Sequence, residues 1–171
     1  MRIRKICFIP LLIMLFSAAA QKASKISANE FEILVGSWQG SLTYLDYSSG
    51  KPYTMSANID IKRIGKTNEF IFSNIYPKEQ NANSVDTLIL AKDGAGINDE
   101  TVSSKRKLSD GNTELVTEIL GKDGNDQKPA MIRHTYIFGK ELFIKTKYVQ
   151  FVGQAEWIKR NEYSYKKKTS S

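Results

Sequence analysis

A single histidine, His134, and a single cysteine, Cys7, occur among the 171 residues, so chemistry that depends on imidazole has one place to happen. A Ser-His-Asp triad could use only His134. His134 alternates with Ile132, Tyr136 and Phe138, which puts it on the apolar face of a strand. There it reads either as the one axial ligand a haem iron requires or as a hydrogen-bonded interior histidine. With no second haem signature the latter is preferred, and no cofactor is assigned. The acids Asp60, Glu118 and Glu141 fall on wet faces or beside turns, and nothing pairs them at the separation a glycosidase needs. No G-x-S-x-G, no H-E-x-x-H and no phosphate-binding glycine loop ahead of a helix occurs. No catalytic residue and no metal site is assigned, and the chain reads as a non-enzyme. Lys166, Lys167 and Lys168 stand near Lys159 and Arg160, but without a broad basic stripe they read as a solvated tail and not as a nucleic-acid surface.

The N-terminus has the three parts of an export signal. Arg2, Arg4 and Lys5 precede an uncharged run from Ile6 to Ala20 that ends in Ser17, Ala18, Ala19 and Ala20, with Ala18 and Ala20 at the A-x-A positions. Cleavage before Gln21 is expected, which would make the mature protein periplasmic or secreted. The run is 15 residues long and contains Pro10, short of the roughly 20 apolar residues that cross a bilayer, so no integral membrane segment is expected after cleavage. Taking twenty residues from 171 leaves 151, with 22 basic and 18 acidic side chains, a net charge of +4 and no cysteine. Disulfides, thiolate nucleophiles and Cys/His zinc sites are thereby excluded from the mature chain, and stability must come from a core.

The elements that position these residues are strands. Residues 21–29 are small and polar and read as a flexible linker. Glu30 to Val35 can make one or two helical turns with Asn29 as N-cap. From Trp38 onward the apolar residues recur at period two: Tyr53, Met55, Ala57, Ile59 and Ile61 alternate with polar neighbours. Turn formers interrupt the pattern at Ser49-Gly50, Gly65-Lys66, Asp93-Gly94, Asp110-Gly111, Asp123-Gly124, Gly139-Lys140 and Gly153. The strands expected are Trp38–Tyr47, Tyr53–Ile64, Glu69–Tyr76, Val85–Ala91, Gly96–Lys107, Thr113–Leu120, Met131–Phe138, Glu141–Val149 and Ala155–Tyr165. Gly96–Lys107, with little apolar content, reads equally as a loop or a solvated edge. Short turns and no helical crossover mean antiparallel pairing. The expected fold is all-β, an antiparallel up-and-down barrel of about 8 to 10 strands, whose closure removes exposed edges. A two-sheet sandwich is the alternative. The barrel would span 30–166, followed by a basic, polar tail at 167–171.

The start of the folded region, Leu34-Val35-Gly36-Ser37-Trp38-Gln39-Gly40, resembles the G-x-W signature on the first strand of the calycins, the lipocalin and fatty-acid-binding-protein superfamily. The resemblance implies a lipocalin-like barrel closed at one end by Gly36 and Trp38, with a basic residue of the last strand packed over the indole; Arg160 is the candidate. It also implies a small apolar or amphipathic ligand inside. The carboxylate-binding Arg-x-Tyr pair of fatty-acid-binding proteins is missing, because Arg160 is followed at that spacing by Glu162. Parity places Leu42, Tyr44, Met55, Ile59, Phe70, Phe72, His134, Tyr136 and Tyr148 on the inner face as the ligand-binding set, with His134 as its titratable group. The same side chains would fill a solid barrel, in which case the protein would be an envelope interaction module for a protein or glycan. A haem barrel through His134 is the third reading.

Overall fold

The computed structural model describes residues 24–46 and 49–168. The expected export signal at 1–20 and its cleavage point before Gln21 lie outside the described residues. The first element is α1, Ala28–Phe31, followed by a 3-10 turn over Glu32–Leu34. It begins before the expected Glu30 because Ser27, not Asn29, is the cap. Glu30 N donates to Ser27 Oγ at 3.3 Å and Ser27 N donates to Glu30 Oε2 at 3.1 Å, the reciprocal capping box that the spacing Ser27-x-x-Glu30 encodes. The stretch assigned to a linker is therefore docked from Ile26 on: Ile26 is 1% exposed and its N–H donates to Gly94 O at 2.9 Å.

Ten strands follow: β1 Gly36–Leu45, β2 Pro52–Arg63, β3 Glu69–Ile75, β4 Ser84–Ile89, β5 Gly96–Ile97, β6 Glu100–Lys107, β7 Thr113–Asp123, β8 Lys128–Phe138, β9 Leu142–Phe151 and β10 Ile158–Lys167. They form one antiparallel sheet in the order β4-β3-β2-β1-β10-β9-β8-β7-β6-β5. Every strand except β4 neighbours the next in sequence, and β1 pairs with β10. The two edges, β4 and β5, come together only at a seam. There Leu90 bridges to Ile97, Asn98 N donates to Ile89 O at 2.7 Å, and Ile89 N donates to Asn98 Oδ1 at 2.7 Å. The result is the expected all-β up-and-down barrel, nearly closed. Nine expected strands become ten because the segment Gly96–Lys107 turns at Asn98, whose φ is +50°. Lys167, placed by the sequence in the tail, is the last residue of β10.

The core is concentrated at the end of the barrel that the helical segment covers. Phe31 packs edge-on against Phe70 and Phe138 at ring-centroid distances of 5.3 and 5.5 Å, and Leu34, Trp38 and Leu115 are buried around them. At the opposite end the inward-facing side chains are not covered: Tyr53, on the same face of β2 as buried Met55 and Ile59, is 49% exposed. Alternation thus gives a cup, filled at one end and open at the other. Among the described residues no helix is long and apolar enough to cross a membrane.

Candidate functional site

Closure of the filled end depends on Trp38, which is 1% exposed. Its Nε1 donates to Leu34 O at 2.8 Å. The cation over its face is Lys167, with Nζ 4.4 Å from the ring centroid and donating to Val35 O. Gly36, at φ +124°, leaves room for this lysine, since a Cβ there would lie 3.1 Å from Lys167 Cε and Nζ. Gly36 and Trp38 therefore stand at the expected closure and Arg160 does not. Antiparallel pairing sets Trp38, near the start of β1, opposite Lys167 at the end of β10; Arg160 lies at the other end of that strand. Its Nε donates to Asp123 Oδ2 at 2.7 Å, and its guanidinium lies 5.5 Å from the Phe151 centroid. Asp123 also pairs with Lys147 at 2.6 Å. Burial opposes ionisation of Asp123, but the two cations outweigh it and hold the carboxyl below its ordinary pKa.

Above the closed end lies a cavity of about 320 Å³. Its apolar wall is Ile59, Phe72, Leu88, Phe143 and Tyr165, and its polar side is Asn74, Asp86, Glu100, Lys145 and the Tyr136 and Tyr163 hydroxyls. Ile97 and Asn98 also line it, so it reaches the β4/β5 seam. A larger depression of about 740 Å³ beside Asn29, Gly111 and Glu141 lies outside the closed end and is lined largely by the turns that follow β6 and β8.

The polar side is a partly satisfied network. Asn74 Nδ2 donates to Asp86 Oδ2 at 2.7 Å. The Tyr76 and Tyr163 hydroxyls lie 3.0 Å apart. Glu100 Oε1 is 2.8 Å from His134 Nδ1. Thr117 Oγ1 donates to Glu100 Oε2. Burial again opposes ionisation of Glu100, and His134, Thr117 and Lys145 together hold its carboxyl below the usual range. Burial pushes the Tyr136 and Tyr163 phenols above their ordinary pKa, which keeps both hydroxyls as neutral donors. Burial lowers the Lys145 ammonium, only partly offset by the charges of Glu100 and Asp86.

Of the residues assigned from sequence to the interior, Ile59, Phe72 and Tyr136 line the cavity. Leu42, Tyr44 and Met55 share the inner face, with Leu42 and Tyr44 partly exposed toward the open end. Phe70 is part of the packed floor under Phe31, not a cavity wall. His134 faces inward but acts as the neighbour of Glu100. Tyr148 is on the outside, in a cleft with Arg133, Glu118 and Trp157, where Arg133 stacks over Trp157 at 3.9 Å. The parity of β9 explains this: Phe143, Lys145 and Lys147 register with inner residues Phe138, Tyr136 and His134, so Tyr148 must point out. Lys145 and Lys147 on that face break the apolar alternation that marks an interior. Asn74, Asp86, Glu100 and Lys145 were missed for the same reason, although Asn74 follows Phe72, and Lys145 follows Phe143, by two residues. Among the described residues no group of three or more His, Cys, Asp or Glu side chains converges as a metal site would.

No protein-family model matches the chain and no curated protein matches its sequence. Among solved structures it is similar to zebrafish ileal bile acid-binding protein in complex with cholic acid, with a TM-score of 0.38 and 14% identity, covering 80% of this chain and 99% of that one. It is also similar to Rv2717c from M. tuberculosis, with a TM-score of 0.50 and 13% identity, covering 85% of this chain and 100% of that one. At that identity the likeness to Rv2717c is one of fold alone.

Proposed function

We propose that the protein is an exported, calycin-like barrel that holds a small apolar or amphipathic molecule in its interior without acting on it chemically. The observation that carries this reading is the cavity of about 320 Å³, within the range of small-molecule sites, walled by aromatic and aliphatic side chains with a few polar groups on one side. A filled interior would have favoured an interaction module acting through its outer surface. Binding would be driven by apolar area removed from water, at about 25 cal/mol per Å², and the polar side would orient the ligand. Export is supported by the basic, apolar and small-residue parts of 1–20, and N-terminal sequencing of the exported protein should begin at Gln21.

The test of binding is displacement of an environment-sensitive apolar dye from the purified protein by cell-envelope lipid extract. Leu88→Trp, which adds bulk at the cavity wall, should abolish dye binding while the far-ultraviolet circular dichroism stays that of a β-barrel. Equal dye binding by the wild type and this variant would refute an interior site.

A further inference from the structure

We propose that the cavity recognises a carboxylate on its ligand through the ammonium of Lys145; this rests on the interior-binding reading and specifies the polar end of that ligand. Lys145 projects from β9 between Tyr136 of β8 and Tyr163 of β10 and lines the cavity. Its Nζ stands 5.7 Å from the Tyr136 ring centroid, and among the described residues it enters no hydrogen bond and no ion pair. No other basic side chain lines the cavity.

The acids nearby have other partners. Glu100 on β6 faces His134 with one oxygen and accepts from Thr117 with the other. Asp86 on β4 accepts from Asn74 and is exposed, where water and salt weaken its field. Lys147, two residues further along β9, is taken by Asp123. Lys145 is thus a half-buried cation that no carboxylate contacts directly, Glu100 and Asp86 acting on it only through space, and an incoming carboxylate would take its open donors.

The surroundings also select the anion. The flanking carboxylates penalise a doubly charged phosphate more than a singly charged group, and one ammonium matches one charge. A carboxylate offers two acceptor oxygens, one for Lys145 and one for a neutral phenol such as Tyr136 or Tyr163, whose deprotonation burial opposes. The hydrocarbon behind it would cover Ile59, Phe72 and Phe143.

Decanoate, decanol and decylamine share a chain and differ in the end group, so they separate the two claims. Binding to the purified protein is read by calorimetry and by displacement of an uncharged dye. Decanoate should bind about tenfold or more tightly than decanol, the worth of a charge-assisted hydrogen bond, with decylamine weakest. Lys145→Met should bring decanoate down to the level of decanol while leaving decanol within about threefold. Lys145→Gln, which keeps a polar side chain, should do the same, and thermal unfolding of both variants checks that they fold. Equal binding of decanoate and decanol to the wild type, a decanoate preference that survives in both variants, or tightest binding by decylamine would overturn the carboxylate assignment and leave the interior site standing. Failure of all three compounds to bind or to displace the dye would overturn both.

Discussion

Trp38 is fixed at one atom and one face, by the bond from Nε1 to Leu34 O and by Lys167 over the ring. Both partners belong to segments that meet only when the barrel closes, so the indole ties the helical cover to the last strand. Lys167→Ala should lower unfolding free energy by about 1 to 3 kcal/mol, from the lost ring contact and the Val35 carbonyl left without its donor. In a double-mutant cycle by denaturant unfolding, Lys167→Ala and Trp38→Phe should couple, whereas Arg160→Ala and Trp38→Phe should be additive. His134 has a different kind of partner. Its Nδ1 faces a carboxylate that the Thr117 hydroxyl also engages, and the ring stands beside the cavity, not across it. Hemin titrated into the protein should therefore develop no sharp Soret band, and His134→Ala should leave the absorption titration unchanged. At this scale the sequence was legible where the chemistry is apolar: Ile59, Phe72 and Tyr136 line the interior where alternation puts them, and Gly36 and Trp38 stand at the closed end where the resemblance puts them. It misled where polar groups face inward, because Lys145 on the Phe143 face breaks the rule that charges mark the wet side, and Tyr148 took its place.

The strands themselves follow from alternation and turn chemistry, and the departures have local causes. Ser27 and Glu30 cap each other and start α1 early; Ser27→Ala should cost about 1 kcal/mol in thermal or denaturant unfolding. Asn98 turns the chain at φ +50°, which splits one expected strand into β5 and β6. Its backbone and its side chain both bond to Ile89, and with the Leu90–Ile97 bridge they make the seam between the two edges of the sheet. Asn98→Ala removes the side-chain acceptor and places a residue less tolerant of that φ. It should cost about 1 to 2 kcal/mol. Its effect on amide hydrogen exchange should be local: β4, paired along its length only with β3, should lose protection first, while β7, β8 and β9, paired on both sides, should hold theirs. Uniform loss of protection would mean that the seam is no separate unit. Neither cue needed the structure in principle, since Ser-x-x-Glu and an Asn-Asp turn are local signals. The pairing partner of each edge did need it, because contact between β4 and β5 is a property of the closed barrel.

The whole molecule distributes its charge unequally between stability and the cavity. Lys145 has a folded-state pKa below its ordinary value, so the folded chain binds that proton less tightly than the unfolded chain does. At neutral pH the lysine opposes folding, and Lys145→Met should raise the denaturant midpoint. The carboxylates act in the other direction. Asp123 sits in the barrel wall with 8% of its side chain exposed, between Lys147 and Arg160, and Glu100 is depressed as well. Because their folded pKa values lie below the unfolded ones, the unfolded chain binds more protons as acid is added. The stability they contribute is complete above the ordinary carboxylate range and is lost as pH falls through the depressed folded values. Glu30 is depressed too, but its side chain is 47% exposed and solvent screens it. Chemical unfolding at a series of pH values should give a midpoint that is nearly flat from neutrality to about pH 5 and falls below about pH 4. Asp123→Asn leaves two cations without their shared partner and should cost roughly 3 kcal/mol at neutral pH. Its curve should fall less steeply in acid and converge on that of the wild type, since the carboxyl it lacks is by then protonated in both states. A gap between the two curves that stays constant into strong acid would mean that Asp123 stabilises the barrel through its shape and hydrogen bonding, with its charge contributing nothing.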